Sequence, residues 1–446
     1  MNEIKIIGLD LYPNSNYRIS KDTNGGYGTS NIIKGVNLNI INKAFKINQF
    51  TSIDLIYLLT IFSKLNNVQI EYHRINDLDS LPKGDIYFYN ISIVAHEFEL
   101  EYYKRNLINK EVFIVGSWSN VAKKFYDSKN TYFFPSPVES ISTSDEDLKK
   151  ILNNKDFILK EEFTDLDNNP LPDWSLINKE FRPTHLLSGI SQNIIPIRTS
   201  IGCPYSCSYY CTYPLQQGKK VISYNAENLI FKMLDLSKKM QTKWFLFRDP
   251  VFGINPKQRL EILKVLGKSD FKIILETHLR LINLDEIKLF KEAGVKCIYV
   301  GIESADNEVL KDSKRKNEKE NLIYEKIKKI EKNGIFVKGM YIIGLPADTK
   351  KSIIKTINYS KTLPHSMAQF SVFTAYPGTQ AYNDMINDVS EQKYYNFNQW
   401  TPTVNHSNLS KLEISNYLNR SYIEFYLYRP IKSFILTFRI VLNWLY

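Results

Sequence analysis

Cysteine is scarce in this chain of 446 residues: there are four, and three of them, Cys203, Cys207 and Cys211, stand within one short stretch. A disulfide framework is therefore not expected, since pairing two of the trio would strand the third and cytosolic chains seldom form disulfides. Histidine is nearly as scarce, with six in all and none near the trio. A structural zinc ion would want a fourth ligand in paired spacing, and the remaining Cys297 lies far along, in what reads as a buried strand. No run of about 18 apolar residues occurs, so no transmembrane span is expected. Met1–Asp10 is too short and too charged for a signal peptide, so a cytoplasmic setting is expected. A long basic stripe is missing too. The net charge is +11 and the isoelectric point about 9.1, yet the lysines are scattered among acids, as in Lys311–Glu320. That pattern reads as solvated surface, and no nucleic-acid partner is expected. An acidic substrate or an anionic membrane face stays open.

What is present centres on Ile197–Lys220. An apolar run from Ile194 to Ile201, broken by Pro196 and Arg198, leads into Gly202, after which cysteines occupy every fourth position. Gly, Pro, Ser and Tyr around them describe an exposed loop after a strand. Three close thiolates suit a soft metal or an iron–sulfur cluster, and with only three ligands one iron of a four-iron cluster would stay open.

The first part of the chain alternates short apolar runs with helical pieces. Strands are expected at 4–9, 68–75, 86–93, 112–116 and 131–134. Helices are expected at Ser52–Leu65, capped by Thr51, and near Glu97–Leu107 and Asn120–Tyr126. This is the pattern of a doubly wound parallel sheet, whose ligands bind at the carboxyl ends of its strands. No Gly-x-Gly-x-x-Gly follows a strand, so a dinucleotide site is unsupported. Gly25-Gly26-Tyr27-Gly28 reads as a turn or as a close approach to a ligand. The run Asp165–Trp174, with Pro170 and Pro172, reads as a connection.

A second alternation begins at Ile194. Strands are expected at 194–201, 244–247, 272–281, 295–302, 335–343 and 369–374, with helices near 226–236, 257–266, 284–292, 320–332 and 350–362. Six βα steps make an open sheet or a partial barrel, with chemistry at the carboxyl ends of its strands. Those ends carry the cysteine loop, Arg248-Asp249, Arg280, Glu303-Ser304, Gly344-Leu345-Pro346 and Tyr376-Pro377-Gly378-Thr379. The final segment, Phe434–Tyr446, reads as a packed terminal helix. The expected division is a sheet domain over 1–140, a linker over 141–193, the barrel over 194–385 and a mostly helical extension over 386–446.

In that order these motifs resemble the radical S-adenosylmethionine (radical SAM) superfamily. The cysteine loop, Gly301-Ile302-Glu303-Ser304, Gly344-Leu345-Pro346-Ala347-Asp348-Thr349 and the Pro377-Gly378-Thr379 turn carry the resemblance, over residues 194–385. The first part resembles the Rossmann-like cobalamin-binding domain of the class that joins such a domain to a radical SAM barrel. The resemblance implies a [4Fe-4S] cluster held by Cys203, Cys207 and Cys211, with SAM on the open iron. It implies SAM contacts from Tyr210, Phe247, Asp249, Arg280, Glu303, Ser304, Gly344, Leu345 and Pro346, and cobalamin contacts from Ser92 and Gly116. The usual Cys-x3-Cys-x2-Cys is here Cys-x3-Cys-x3-Cys. The Asp-x-His-x-x-Gly that supplies a lower cobalt ligand is absent, and His73 reads as a surface residue. Two readings stand: the domain holds cobalamin without a histidine, or it is a relic.

The resemblance implies an enzyme that cleaves SAM to a 5′-deoxyadenosyl radical, acts on a small molecule or biosynthetic intermediate, and takes electrons from a donor such as flavodoxin or ferredoxin. The expected reaction is methyl transfer to an unactivated carbon or to phosphorus. The alternatives are a cobalamin-free rearrangement, cyclisation or oxidation and, from another class, a basic nucleic-acid-binding protein with a structural metal site.

Overall fold

The computed structural model describes residues 3–13, 18–31, 50–427 and 429–445. Its first layer comprises β1 (Ile4–Leu11), an antiparallel hairpin of β2 (Arg18–Ser20) and β3 (Thr29–Asn31), then β4 (Val68–Ile75), β5 (Ile86–Asn90), β6 (Glu111–Val115) and β7 (Thr131–Phe133). Five of these form one parallel sheet in the order β4-β1-β5-β6-β7. β1 and β5 are largely buried, mainly apolar runs that end on the polar Asp10 and Asn90, as expected of a parallel sheet covered on both faces. The chain leaves β1 for β4 on one side and returns to β5 on the other. Between the carboxyl ends of β1 and β5 it therefore opens a crevice, the place where doubly wound sheets bind ligands.

The small antiparallel pair β8 (Thr184–His185) and β9 (Gly189–Asn193) leads into β10 (Ile195–Ile197). β11 (Ser200–Ile201) and β12 (Ile222–Ser223) pair across the cysteine loop. β13 (Trp244–Phe247), β14 (Lys272–Thr277), β15 (Val295–Glu303), β16 (Phe336–Ile343) and β17 (Met367–Val372) follow. β10 and β13 to β17 lie parallel in chain order, each step returning through an outer helix, as a partial six-stranded barrel requires. The edge at β17 is covered by the helix Lys411–Leu427. Tyr422 Oη accepts from Phe370 N at 3.1 Å and donates to Phe370 O at 2.9 Å, and Tyr426 does the same for Ala368 at 3.0 and 2.9 Å. The phenols satisfy the backbone groups of an edge that would otherwise invite another strand.

One buried cluster runs from Leu59, Phe62 and Phe88 through Trp174 to Ile197, Phe247 and Ile343, so sheet and barrel share a core. The Pro-rich connection lies inside that contact: Trp174 Nε1 donates to Pro196 O at 2.9 Å, and Asp173 N to Thr60 Oγ1 at 2.8 Å. At the barrel's other end Leu436 and Ile440, from the terminal helix Pro430–Leu445, pack with Trp244, Ile274, Cys297 and Phe336. No helix among the described residues is long and apolar enough to cross a membrane.

Several boundaries differ from the sequence reading. The run 194–201 divides because Arg198 turns inward, with Nη2 2.7 Å from Asp54 Oδ1 and Nη1 2.6 Å from Glu139 Oε1. The strand expected to reach 281 stops at Thr277, where His278 Nδ1 accepts from Arg280 N and starts a 3-10 turn. Ser52, not Thr51, caps the helix Ile53–Phe62, its hydroxyl accepting from Leu55 N at 3.2 Å. The hairpin of β2 and β3 had no signal, since three-residue strands carry too little periodicity.

Candidate active site

The cysteine loop begins at Gly202, whose φ is +87°. A Cβ there would lie 1.9 Å from Lys220 O, so only glycine lets the two ends of the loop meet. Cys203 N donates to Gly218 O at 3.1 Å and closes it. A 3-10 turn over Ser206–Tyr209 follows, and Cys211 N and Tyr210 N both donate to Cys207 O, at 3.1 and 3.2 Å. The extra residue in the spacing is absorbed by this turn.

All four cysteines are free thiols. Burial pushes the Cys203 and Cys211 thiols up, and the charge of a Cys207 thiolate would add to both shifts. A bound cation would oppose those shifts. Among the described residues no three His, Cys, Asp or Glu side chains are gathered as a single metal ion needs. Three thiols in one loop, with no fourth cysteine beside them, are the donor set of a cluster that leaves one iron open. Cys297 lies in the barrel core at 0% exposure, away from the trio.

Arg315 ties the loop to the barrel mouth. Its Nη1 lies 3.6 Å from Cys207 Sγ, and its Nη2 lies 3.0 Å from Gly301 O and 3.3 Å from Glu303 Oε1. Glu303 follows a register shift between β15 and β16 and takes φ +63°, rare for a residue with a side chain. Burial raises its carboxyl and Arg315 opposes the rise. A Cβ on Gly301 would sit 2.4 Å from Glu303 Oε1 and 2.6 Å from Arg315 Nη2, so the pair occupies the space this glycine leaves. A cavity of about 130 Å³ opens beside them, lined by Tyr205, Cys207, His278, Arg280, Lys314, Arg315 and Lys316 among others. Burial and Arg315 push His278 down to about 3, so its ring is neutral there.

The structure sorts the expected contacts. Arg280 lines the cavity and Glu303 borders it through Arg315. Tyr210 is half-buried, its ring edge-on to Phe373 at 6.2 Å. Gly344 and Leu345 form a turn whose amides both donate to Asp348 Oδ2 at 3.0 Å. The face of Gly344 meets Ile414, Leu345 is fully buried, and Pro346 is half-buried. Two of the expected residues lie in the interior, away from the residues that line the cavity. Phe247 is 1% exposed and packs on Phe252, and Asp249 is 1% exposed. The Asp249 carboxylate accepts from Thr199 N at 2.6 Å, Thr199 Oγ1 at 2.5 Å and Ser200 Oγ at 2.9 Å. Both residues brace the strand before the cysteine loop. Ser304 is buried, bonded to Thr356 Oγ1 at 3.2 Å and Asp306 N at 3.1 Å. Arg315, Lys314 and Lys316 were missed because Lys311–Glu320 reads as solvated charge; nothing local separates them from other lysines.

In the first sheet, Ser92 is fully buried, its N–H and hydroxyl both directed to Glu99 at 2.8 and 3.3 Å. Gly116 has φ +109°, and a Cβ there would meet Ile91 O at 2.5 Å. The crevice between β1 and β5 is filled by residues 21–28 of the chain itself. The residues there do not fit a corrin.

Residues 197–359 match a family model described as the Radical SAM superfamily. The chain is 28% identical over 272 residues to an uncharacterized methyltransferase of Pyrococcus horikoshii, covering 59% of this chain and 57% of that protein. It is 25% identical over 301 residues to the bacteriochlorophyllide d C-8(2)-methyltransferase of Chlorobaculum tepidum, covering 64% of this chain and 65% of that one. It thus spans under two thirds of the length of these relatives. Its fold is similar to that of OxsB, a cobalamin-dependent S-adenosylmethionine radical enzyme solved with aqua-cobalamin and S-adenosylmethionine bound. The TM-score is 0.66 at 12% identity, over 99% of this chain and 72% of that one.

Proposed function

We propose, on the match of residues 197–359 to the Radical SAM superfamily, which implies a [4Fe-4S] cluster and SAM, that Cys203, Cys207 and Cys211 hold the cluster and that the barrel mouth binds SAM beside it. Such a cluster supplies one low-potential electron that splits SAM into methionine and a 5′-deoxyadenosyl radical, which takes a hydrogen atom from the substrate. The chain's residues set the conditions. Arg315 places a positive charge 3.6 Å from Cys207 Sγ and holds Glu303. Arg280, Lys314 and Lys316 make the neighbouring cavity attractive to a carboxylate.

The reaction we assign is methyl transfer to an unactivated carbon or phosphorus of a small molecule, supported by the methyltransferases the chain resembles. The electron donor would be a small redox protein such as flavodoxin or ferredoxin. A rearrangement, cyclisation or oxidation without cobalamin is the second reading, and the filled crevice favours it.

One observation carries the radical SAM reading: three free thiols sit in one closed loop that follows the first strand of a parallel barrel. Anaerobic purification with iron and sulfide analysis tests it. We expect a brown protein with about four irons per chain; a colourless, zinc-loaded protein would overturn the reading.

A further inference from the structure

The crevice of the first sheet holds a lysine instead of a cofactor. Lys21 is 0% exposed. Its Nζ donates to Asp10 Oδ1 at 2.6 Å and to Asn90 O at 3.1 Å, and lies 2.8 Å from Glu99 Oε1. An ammonium has three protons, and here each has an acceptor. Asp10 and Asn90 stand at the carboxyl ends of β1 and β5, so the lysine closes the switch point itself. The acceptors are fixed in turn. Asp10 takes Asn90 Nδ2, Tyr12 Oη and Tyr72 Oη, each at 3.0 Å, and Glu99 takes Ser92 N.

Residues 22–28 then fill the gap between sheet and barrel. Arg248 Nε donates to Asp22 Oδ2 at 2.8 Å. Asn24 Nδ2 donates to Tyr376 Oη at 2.7 Å, and Asn24 O accepts from Thr212 Oγ1 at 2.5 Å. Tyr27 Oη donates to Pro377 O at 2.8 Å, with its ring edge-on to Trp118 and Tyr376. The glycines measure the tightness. A Cβ on Gly25 would lie 2.7 Å from the Thr212 carbonyl carbon, one on Gly26 2.7 Å from Ser117 Oγ, and one on Gly28 2.9 Å from Val94 Cγ2. Sheet and barrel thus touch this turn from both sides. Pockets for large cofactors run to several hundred Å³, whereas among the described residues these contacts leave no room for a methyl group at Gly25, Gly26 or Gly28.

We propose that residues 18–31 are a built-in plug that occupies the place a corrin would take, so that this chain holds no cobalamin and its barrel works without one. Displacing the plug would strand the Asp10 and Glu99 carboxylates in the interior, a strongly unfavourable state. The plug also does positive work, since Asn24 and Gly25 abut Thr212, the residue after Cys211, and so brace the cluster loop. The inference does not depend on the cluster, because it rests on the packing of residues 18–31 and on none of the three cysteines.

The test incubates the full chain, reconstituted with iron and sulfide, with excess hydroxocobalamin, desalts it, and counts cobalt and iron per chain. Cobalt near zero supports the plug at any iron count; iron near zero would instead sink the cluster. Cobalt close to one per chain overturns the plug and leaves the cluster reading standing. Hydrogen exchange on the same samples guards against a misfolded chain. The amides of Lys21, Tyr27 and Ile93, bonded to Phe50 O, Asn24 O and Tyr27 O, should be protected equally with and without cobalamin. Loss of their protection when cobalamin is added would also overturn the proposal.

Discussion

Arg315 and Glu303 form an ion pair, 3.3 Å between Nη2 and Oε1, and the same guanidinium reaches Cys207 Sγ at 3.6 Å. One side chain therefore joins the cluster loop to the strand end that faces the cavity. Reduction of a cluster adds negative charge, and a nearby cation or a hydrogen bond to sulfur favours it. Arg315→Met should lower the midpoint potential while leaving about four irons in place. Arg315→Lys should recover only part, because an ammonium cannot span sulfur, carbonyl and carboxylate at once. A redox titration followed by electron paramagnetic resonance reads both; an unchanged potential in Arg315→Met would remove the link.

Ligation separates the cysteines. Replacing Cys203, Cys207 or Cys211 by Ala should abolish the cluster. Cys297→Ala removes a buried side chain from the barrel core. It should cost about 1 kcal/mol of stability and leave iron content unchanged. Iron and sulfide assays with thermal denaturation distinguish the cases, and a cluster that survives Cys211→Ala but not Cys297→Ala reverses the assignment.

The buried lysine predicts its own energetics. Lys21→Met leaves two carboxylates without their cation and should cost about 3–5 kcal/mol. Combining it with Asp10→Asn should recover part of the loss, since the two sites are coupled. Chemical denaturation of the two single variants and the double variant reads the coupling; strictly additive effects would show that the pair is not a unit.

Asp348 predicts a pH dependence. Burial pushes its carboxyl up to about 6 from 3.8, against the amides of Gly344 and Leu345 and the Ser352 hydroxyl. A folded-state value above the unfolded one gives stability that is full below the unfolded value and is lost as pH rises through about 6. The loss is at most about 3 kcal/mol. Asp348→Asn, which cannot ionise, should flatten this slope in denaturation curves between pH 4 and 7, whereas an unchanged slope would place the titration elsewhere.

The parallel layers were legible because their signals are local. Runs such as Trp244–Phe247 and helices such as Glu320–Lys332 and Lys350–Thr362 declare themselves by apolar content and period. The cysteine trio declared itself by spacing. Arg315 did not, because its role depends on Cys207, more than a hundred residues earlier in sequence. Asp249 looked like a site residue because it stands at a strand end, but its oxygens were already committed to Thr199 and Ser200. Lys21 gave no sign at all, since one lysine in a polar segment is normally solvent-exposed. Only folding brings Asp10, Asn90 and Glu99 around it.

The central claim is that this barrel cleaves SAM reductively at the cysteine loop. The most direct measurement incubates the anaerobic, cluster-loaded chain with SAM and dithionite and quantifies 5′-deoxyadenosine and methionine. The account predicts that both form in equal amounts and that neither forms in the Cys203→Ala, Cys207→Ala or Cys211→Ala variant. Absence of 5′-deoxyadenosine from a chain carrying its full complement of iron, or its undiminished formation in those variants, would contradict it.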